Sequence, residues 1–358
     1  MLQLEPVVLA LASDEDYFPG LYCAVASALR TVDPTRGVEV KVLDGGLSPP
    51  SRDSLARLIE RTGVQTPLDF VKADPSVFDE ATLGPGQSHI AYFRILLPQL
   101  LDIPRVIYLD CDVLVFRDLS KLFDTRLLPG NLVAAVPDSE TLSPADDSVA
   151  LTSAMKVPAE ANYFNSGVML MDLHKLRRHD FFNRAVEFLN SRRGHYRFWD
   201  QSAINFLLHG QIDTLPNYWN RASWRFDAQQ DNDLDCVIHY TTRSPWLGGA
   251  RTPSQVLFER FAEETGLSLN RQSYDFKKLA RRNFWRDAVA PLRAVAFPIC
   301  SLLYAVAGKK QKSAAYKKVA CYWLDYIRNM RARSQLHRRR GEEINRMKFD
   351  LRTPSVSS

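Results

Sequence analysis

The chain has 358 residues, 46% of them hydrophobic and 24% charged, which is an ordinary globular composition with enough length to bury a full core. Its net charge of +5 hides an asymmetry, because from Arg271 onward 21 Lys and Arg face only 6 Asp and Glu. That segment therefore carries a net +15 and the first 270 residues a net −10. These values exclude a chain too small or too polar to form a core, and they predict an acidic body with a strongly basic extension.

The cysteines and the N-terminal residues bear on the cellular compartment. The five cysteines are odd in number and widely spaced, with no Cys-x-x-Cys, which predicts a reducing compartment without a disulfide framework. They are Cys23, Cys111, Cys236, Cys300 and Cys321. The first apolar run, Val7 to Ala12, follows no basic region and leads directly into Asp14, Glu15 and Asp16. It therefore predicts a first strand and not a signal peptide.

The N-terminal part of the chain alternates between apolar runs and helical spacing, which is typical of an α/β domain. Strands are predicted at Val7 to Ala12 and Val38 to Leu43, and helices at Leu21 to Leu29 and Ser51 to Arg61. The simplest prediction for the acidic residues after the first strand, Asp14 to Asp16, is a loop. These residues also lie where open α/β sheets bind their ligands, at the carboxyl end of a strand.

A further helix is predicted from Ser88, broken near Pro98, and it carries Arg94 alone among apolar neighbours. A buried guanidinium needs an anionic partner. The sequence leaves two partners open, the carboxylate of Asp110 or the phosphate of a bound ligand, and the structural pair is the simpler prediction.

The segment Arg105 to Phe116 contains two apolar runs, each predicted to be a buried strand, separated by Asp110, Cys111 and Asp112. Buried carboxylates need a cation or compensating hydrogen bonds, and a hard divalent metal ion is a natural partner for two of them. The alternative is structural: one Asp caps a turn and the other pairs with a neighbouring arginine, Arg105 or Arg117. The position at the end of a strand favours the metal site.

The rest of the body continues in the same manner. The predicted elements are a strand at Leu132 to Val136, a mobile loop from Asp138 to Glu160, a strand at Val168 to Met171, a helix at Phe181 to Leu189, a helix opened by Trp199 to Asn205 and a short strand at Cys236 to Tyr240. Asn165 to Gly167 is predicted to be a turn before its strand, and Gly167 would allow close approach to a ligand. Asp200 is either a helix cap or a ligand contact. His239 is either structural or a metal ligand.

Six of these pieces, in order, resemble glycosyltransferase family 8, over residues 6 to 250. The pieces are Leu11-Ala12-Ser13-Asp14-Glu15-Asp16-Tyr17, Tyr92-Phe93-Arg94, Tyr108-Leu109-Asp110-Cys111-Asp112, Phe164-Asn165-Ser166-Gly167, Trp199-Asp200-Gln201, and His239-Tyr240 with Pro245-Trp246. Each motif is short, but their shared order and spacing are specific.

The resemblance implies a GT-A fold, an α/β nucleotide-binding sheet, that transfers a hexose from a UDP-sugar with Mn²⁺ or Mg²⁺ and retains the anomeric configuration. By position it implies that Asp110, Asp112 and His239 hold the metal ion and that Gln201, near the anomeric carbon, and Asp200 are catalytic. It assigns donor contacts to Ser13, Asp14, Asp16, Tyr17, Arg94, Asn165, Ser166, Asp200 and Gln201, with Asp14, Asp16 and Tyr17 at the uracil and ribose. A cation on the diphosphate would stabilise the charge of departing UDP.

One part of the chain departs from the family pattern. The family has His-aromatic-x-Gly followed by Lys-Pro-Trp, whereas Thr242 stands here for the glycine and Ser244 for the lysine, in a loop one residue shorter. The lysine helps to hold the diphosphate in the family. Arg243 is predicted to supply that charge, because a guanidinium binds phosphate in a bidentate manner.

The basic extension, residues 266–358, mixes aromatic residues with Lys and Arg, whereas residues 1–265 form the predicted catalytic domain. Ala288 to Gly308 is apolar, but its prolines and Arg293 make it a poor membrane-spanning helix. The mixture favours an anionic membrane surface over nucleic acid, and a solvated helix explains the apolar run poorly. Thr353 to Ser358 is predicted to be disordered.

The sequence therefore predicts a metal-dependent retaining hexosyltransferase, peripheral at the cytoplasmic face of the membrane. It would move glucose or galactose from UDP to a glycan or glycolipid such as lipopolysaccharide core. Two alternatives remain. A phosphoryl or nucleotidyl transferase would use the same carboxylates, but it predicts a glycine-rich or basic loop after the first strand, where this chain has acids. A non-catalytic nucleotide-sugar-binding scaffold would account for Ser244.

Overall fold

The computed structural model describes residues 5–78, 89–228, 234–241, 244–247 and 252–269, with residues 295–296, 298–300, 302–303, 305–306 and 342–344 of the extension. The predictions for Thr242 and Arg243, and those for the basic helices and the last residues of the extension, lie outside the described residues.

The body is organised around a mixed sheet of seven strands in the order β3-β2-β1-β4-β7-β6-β8. Strand β7 runs antiparallel to both of its neighbours, β4 and β6, and the other pairs are parallel. A smaller sheet has the order β5-β10-β9. The strands are β1 Val7–Ser13, β2 Val38–Asp44, β3 Leu68–Lys72, β4 Arg105–Leu109, β5 Val113–Val115, β6 Val133–Pro137, β7 Phe164–Asp172, β8 Ile212–Thr214, β9 Arg221–Ala222 and β10 Val237–His239.

Helices cover the sheet. They are α1 Phe18–Thr31, α2 Pro49–Thr62, α3 Phe93–Leu100, α4 Leu119–Phe123, α5 Pro144–Asp147, α6 Val149–Ala154, α7 Leu173–Arg178, α8 Phe181–Ser191, α9 Trp199–Leu207, α10 Ser223–Asp227 and α11 Pro253–Thr265. Short 3-10 turns lie at Pro75–Phe78, His89–Tyr92, Asn217–Trp219 and Pro245–Leu247. Strand β1 is buried along its whole length because it lies inside the sheet and has helices over it, which explains its unbroken apolar sequence.

The order of the strands brings three strand ends to one edge of the large sheet. β1 and β4 are parallel and end at Ser13 and Leu109, and antiparallel β7 begins there at Phe164. The chain leaves β4 through Asp110 and Asp112 and enters the small sheet at β5, so the two apolar runs are strands of different sheets. This edge carries the Asp-x-Asp motif, as the sequence predicts.

Three local predictions are wrong. The segment from Asp138 to Glu160 is not simply a loop, because its Ser148 hydroxyl accepts from Leu151 N–H and begins α6. Asn165 to Gly167 is part of β7, since Asn165 pairs with β6. Pro98 lies inside α3, which ends two residues later, so the missing N–H falls in the last turn and does not break the helix earlier.

The described part of the extension differs between its two regions. Residues 295–306, where described, are helical and expose apolar side chains such as Leu302 and Leu303. Ile344 is instead fully buried and belongs to the same apolar core as β1 and β4. The extension therefore returns to the body near its C-terminal end. Among the described residues, no helix combines the length and the apolar character needed to span a membrane.

Candidate active site

Asp110, Asp112 and His239 form a compact cluster at the carboxyl edge of β4. One ligand atom from each residue can be chosen so that all lie within 4.8 Å of one another. His239 Nε2 lies 3.1 Å from Asp112 Oδ1 and 3.7 Å from Asp110 Oδ2. Two carboxylates and an imidazole are a ligand set that Mn²⁺ and Mg²⁺ accept, Mn²⁺ with less demand on geometry. The three residues predicted from the sequence therefore meet in space and fit a divalent metal ion.

The backbone fixes this cluster from two sheets. Asp110 N–H donates to the carbonyl of Gly167 in β7 (2.8 Å), and Tyr240 N–H donates to the carbonyl of Asp112 (2.9 Å). The cluster therefore bridges the large sheet and the small sheet. Only glycine fits at position 167, because a Cβ there would lie 2.2 Å from Cε1 of His239 and 2.7 Å from Oδ2 of Asp110.

The imidazole of His239 is oriented by Asn220. His239 Nδ1 lies 2.9 Å from Asn220 Oδ1, which directs Nε2 toward the two carboxylates. Burial by itself would lower the pKa of His239, but the charges on Asp112 and Asp110 outweigh it and raise the pKa. A second hydrogen bond, from Asn220 Nδ2 to Asn165 Oδ1 (2.7 Å), holds the amide of Asn220. Nothing in the local sequence pattern around Asn220 indicates this contact.

Arg94 lies beneath the cluster and is shared by two acids. Its guanidinium lies 2.8 Å from Asp110 Oδ1 and 2.9 Å from Asp200 Oδ2, and it donates to the carbonyl of Ser166 (2.7 Å). The guanidinium also packs over the ring of Tyr108, whose hydroxyl donates to Asp110. Of the two partners that the sequence left open, the structure contains the ion pair with Asp110. Arg94 also lines the neighbouring cavity, so a donor contact stays a prediction.

Asp200 is the most perturbed carboxylate of the site. Burial raises its pKa to about 6 despite the attraction of Arg94, and the negative charge of Asp110 adds to the rise. The buried carboxylate of Asp200 and the half-buried carboxylate of Asp110 share one guanidinium, so the triad carries a net negative charge when both are ionised. The residue before it, Trp199, has φ of 51°, a left-handed conformation that is uncommon for a large side chain. This kink turns Asp200 into the site at the start of α9.

Gln201 and Asn165 are joined by Asp138, a residue that the sequence had placed only at the start of a loop. One carboxylate oxygen of Asp138 accepts from Gln201 Nε2 and from Asn165 Nδ2, each at 3.1 Å. Gln201 Oε1 accepts from the N–H of Ser166 at 3.1 Å. The amide of Gln201 is therefore held at both ends, and Asp138 fixes which end is the oxygen.

A cavity of about 150 Å³ opens beside the carboxylates. It is lined by Ala12, Tyr17, Ile90, Ala91, Arg94, Tyr108, Asp110, Cys111 and Asp112. Tyr17 forms one wall and packs edge-on against Trp246, with ring centroids 5.4 Å apart. Ser244, which stands where the family has lysine, interacts with the side chain of Tyr17. The Ser-Pro-Trp segment therefore reaches the cavity through Tyr17.

The acidic turn after β1 is built by local hydrogen bonds. Asp14 accepts from Tyr17 N–H at 3.1 Å, and Ser13 is fully buried with its hydroxyl donating to the carbonyl of Asp14. Glu15 accepts from Ser48 N–H at 2.8 Å, which ties the turn to the start of α2. Asp16 is exposed at the tip. Except for Arg243, which lies outside the described residues, all predicted site residues are thus found on this edge of the sheet.

Comparisons with known proteins identify the family. The family model of glycosyl transferase family 8 matches residues 8–249. General stress protein A of Bacillus subtilis is 31% identical over 260 residues, which cover 67% of this chain and 87% of that protein. The lipopolysaccharide 1,2-glucosyltransferase of Escherichia coli is 31% identical over 180 residues, covering 47% of this chain but only 52% of that enzyme.

Among solved structures, the galactosyltransferase LgtC in complex with donor and acceptor sugar analogues is similar, with a TM-score of 0.60 and 27% identity. The match covers 73% of this chain and 95% of LgtC. It confirms the predicted α/β architecture as the GT-A fold. The family model covers well over half of the chain, and the chain belongs to glycosyltransferase family 8.

Proposed function

We propose that this protein transfers glucose or galactose, with retention, from a UDP-sugar to a glycan or glycolipid acceptor in a metal-dependent reaction. The observation that carries the proposal is the Asp110, Asp112 and His239 cluster beside the cavity at the carboxyl edge of β4. Family membership supports glycosyl transfer, and the Escherichia coli relative and LgtC support a glucosyl or galactosyl donor.

The three ligand residues would hold Mn²⁺ or Mg²⁺. The bound ion would supply positive charge to the diphosphate and so stabilise the charge that develops on departing UDP. The chain contributes the rest by positioning: Asn220 orients His239, and Arg94 neutralises part of the charge on Asp110. Tyr17 supplies an aromatic wall to the cavity, where it is suited to a flat nucleobase.

Asp200 and Gln201 are the proposed groups at the transferred sugar. The ion pair with Arg94 holds the carboxylate of Asp200, and Asp138 holds the amide of Gln201, so both present fixed atoms to a substrate. A fixed dipole stabilises charge on an oxocarbenium-like sugar without reorganisation at the moment of reaction. Gln201 Oε1 accepts from the N–H of Ser166 at 3.1 Å and from its hydroxyl at 3.4 Å, so Ser166 fixes the position of the oxygen.

The first experiment is UDP release by the purified protein from UDP-glucose and UDP-galactose, with Mn²⁺ or with a chelator and without acceptor. We expect slow, metal-dependent release that favours one donor. Asp112→Asn should lower it by at least about 100-fold, since even residues behind a metal ligand cost 10- to 100-fold. Asp112 is the cleaner choice because Asp110 also pairs with Arg94. Asp53→Asn, an exposed carboxylate of α2, is the matched control.

A second candidate function is a non-catalytic nucleotide-sugar-binding scaffold, favoured by Ser244 in place of the family lysine. The same assay separates the two when UDP binding is followed by calorimetry. Metal-dependent UDP binding without release from either donor would support the scaffold. In that case Ser244→Lys should restore release.

We also propose that the extension holds the protein at an anionic membrane on the cytoplasmic side. Its support is the net +15 of the segment from Arg271 onward together with the exposed apolar side chains of Leu302 and Leu303. Leu302→Ser with Leu303→Ser should weaken sedimentation with phosphatidylserine-containing vesicles, whereas Leu128→Ser, equally exposed on the body, should not. Equal sedimentation of the two variants would contradict this proposal.

A further inference from the structure

Glu140, Trp224 and Thr241 come from different parts of the chain and meet at the surface beside the catalytic cluster. We call these three residues the rim cluster. Glu140 Oε1 accepts from Trp224 Nε1 at 3.2 Å and from Thr241 Oγ1 at 3.3 Å. All three side chains are exposed, and the indole of Trp224 keeps 41% of its surface accessible. The three residues are far apart in sequence, so only the fold brings them together.

Each member of this rim cluster is connected to a residue of the catalytic site. Glu140 donates its backbone N–H to Asp138 Oδ1 at 2.7 Å, and the other oxygen of Asp138 holds Gln201. Thr241 lies two residues after His239. Trp224 lies in α10, immediately after β9, whose pairing with β10 joins it to the strand of His239. The rim cluster therefore borders the site on the side where β10 and β6 end.

The indole of Trp224 combines a large apolar ring with one polar N–H, so its exposed ring can pack against a ligand. The N–H of Trp224 is already satisfied by Glu140, so what remains exposed is the ring surface. The guanidinium of Arg225 lies over the ring, 5.2 Å from the centroid, and helps to fix its orientation. These two contacts define the orientation of the ring in the structure.

The chemistry of the rim cluster suits a sugar ring. One face of a pyranose is formed by C–H groups and packs on an aromatic ring, whereas its edge carries hydroxyls that donate to acceptor oxygens. Trp224 offers the ring, and the carboxylate of Glu140 and the hydroxyl oxygen of Thr241 offer acceptors next to it. Leu142, 56% exposed and two residues beyond Glu140, adds apolar surface on the same segment. An uncharged apolar ligand would leave Glu140 desolvated, so a hydroxyl-rich ring fits better.

We propose that Trp224, Glu140 and Thr241 form a platform for a pyranose ring of the acceptor, and that Trp224 determines which acceptors are accepted. The inference rests on the proposed function, since it assigns the second substrate of the same site. It goes further in naming residues outside the motifs that identify the family and in stating the ligand class, a pyranose presented with its C–H face to the indole.

Binding is measured first, without donor or metal, by saturation-transfer NMR with methyl β-glucopyranoside, methyl β-galactopyranoside and lactose. We expect transfer from the protein to the C–H protons of one ring face for at least one of these glycosides. Trp224→Ala should reduce it roughly three- to tenfold, and Trp224→Phe should keep most of it because the ring face remains. Leu128→Ala, which removes an exposed apolar side chain from the segment before β6, is the control.

Kinetics then test the role in transfer. For a glycoside that accelerates UDP release, Trp224→Ala should raise its KM by about tenfold while kcat changes much less, whereas a merely structural defect would lower kcat and donor hydrolysis together. The NMR measurement needs no turnover, so absence of UDP release would remove the proposed function and leave the platform standing. No transfer to any of the three glycosides, or equal transfer in wild type and Trp224→Ala, would overturn the platform.

Discussion

His239 Nδ1 and Asn220 Oδ1 lie 2.9 Å apart, and this contact decides where the other nitrogen of the imidazole points. Because Asn220 Oδ1 can only accept, Nδ1 carries the proton and Nε2 of the neutral ring is left as the free lone pair toward Asp110 and Asp112. A ligand imidazole is usually held in this way by a hydrogen bond on its other nitrogen. Asn220 therefore belongs to the site although it is not itself proposed to contact the metal ion or the sugar donor.

Replacing Asn220 by Ala should weaken metal binding without removing a ligand. We expect Mn²⁺ affinity to fall by about 10- to 100-fold, since the imidazole loses its fixed tautomer and orientation. The measurement is calorimetric titration of the purified protein with Mn²⁺, supported by the Mn²⁺ concentration that gives half-maximal UDP release. Asn217→Ala, an exposed residue of the same segment, is the control. An unchanged Mn²⁺ affinity in Asn220→Ala would contradict the orienting role.

Gly167→Ala should damage the site by crowding. The added Cβ would lie 2.2 Å from His239 Cε1, and both neighbours are held by hydrogen bonds, so β7 or the imidazole must shift. We expect a loss of stability of about 1–3 kcal/mol and a large loss of metal-dependent UDP release.

The matched control for this substitution is Gly37→Ala, where a Cβ would meet only Pro6 at 3.4 Å, an ordinary contact. Thermal unfolding and metal titration of both variants test the prediction. If Gly167→Ala bound Mn²⁺ like the wild type, the close packing of Gly167 against the cluster would not matter for function.

The raised pKa of Asp200 predicts how stability depends on pH. In the folded protein Asp200 takes up a proton below a pH of about 6, whereas in the unfolded chain it does so only near its ordinary value of 3.8. Between these values the folded state binds more protons, so the free energy of unfolding contributed by this group falls as pH rises. We expect a fall of roughly 2–3 kcal/mol from this group between about pH 4 and pH 6.

Urea unfolding of the metal-free protein at several pH values, compared with Asp200→Asn, isolates this contribution. The variant should lose stability less steeply than the wild type as pH rises, because the neutral amide does not titrate. Parallel pH dependences would show that the folded-state pKa of Asp200 is close to its ordinary value.

The burial of Ile344 predicts that removing the extension would destabilise the protein. Its side chain is fully buried in the main core, so Ile344→Ala should lower the free energy of unfolding by about 2–5 kcal/mol. Val306→Ala, where 82% of the side chain is exposed, should change it little. Thermal unfolding of the two full-length variants decides the matter, and equal melting temperatures would remove Ile344 from the core. Point substitutions are therefore a better test of membrane binding than a truncation at Arg271.

The elements with strong periodicity were predictable. β1 and α2 follow from an unbroken apolar run and from helical spacing, because burial on both faces and burial on one face leave different patterns in the sequence. The segment from Asp138 to Glu160 was not, since α5 has only four residues and α6 only six, and α6 begins at the cap formed by Ser148. Helical periodicity can be recognised in a sequence only when it repeats over several turns, and these two helices are shorter than that.

The site residues that lie in sequence motifs were predictable, whereas those whose role depends on tertiary contacts were not. Asp110 and Asp112 could be placed after a buried strand from the sequence, and the resemblance to the family added His239 as their partner. The roles of Asn220, which orients that histidine, and of Asp138, which holds Gln201, became visible in the folded protein. The physical reason is that a single polar side chain acquires its role from the groups around it. Asn220 is brought to its partners by the pairing of β9, the strand that follows it, with β10. Asp138 is brought to its partners by the pairing of the end of β6 with the start of β7.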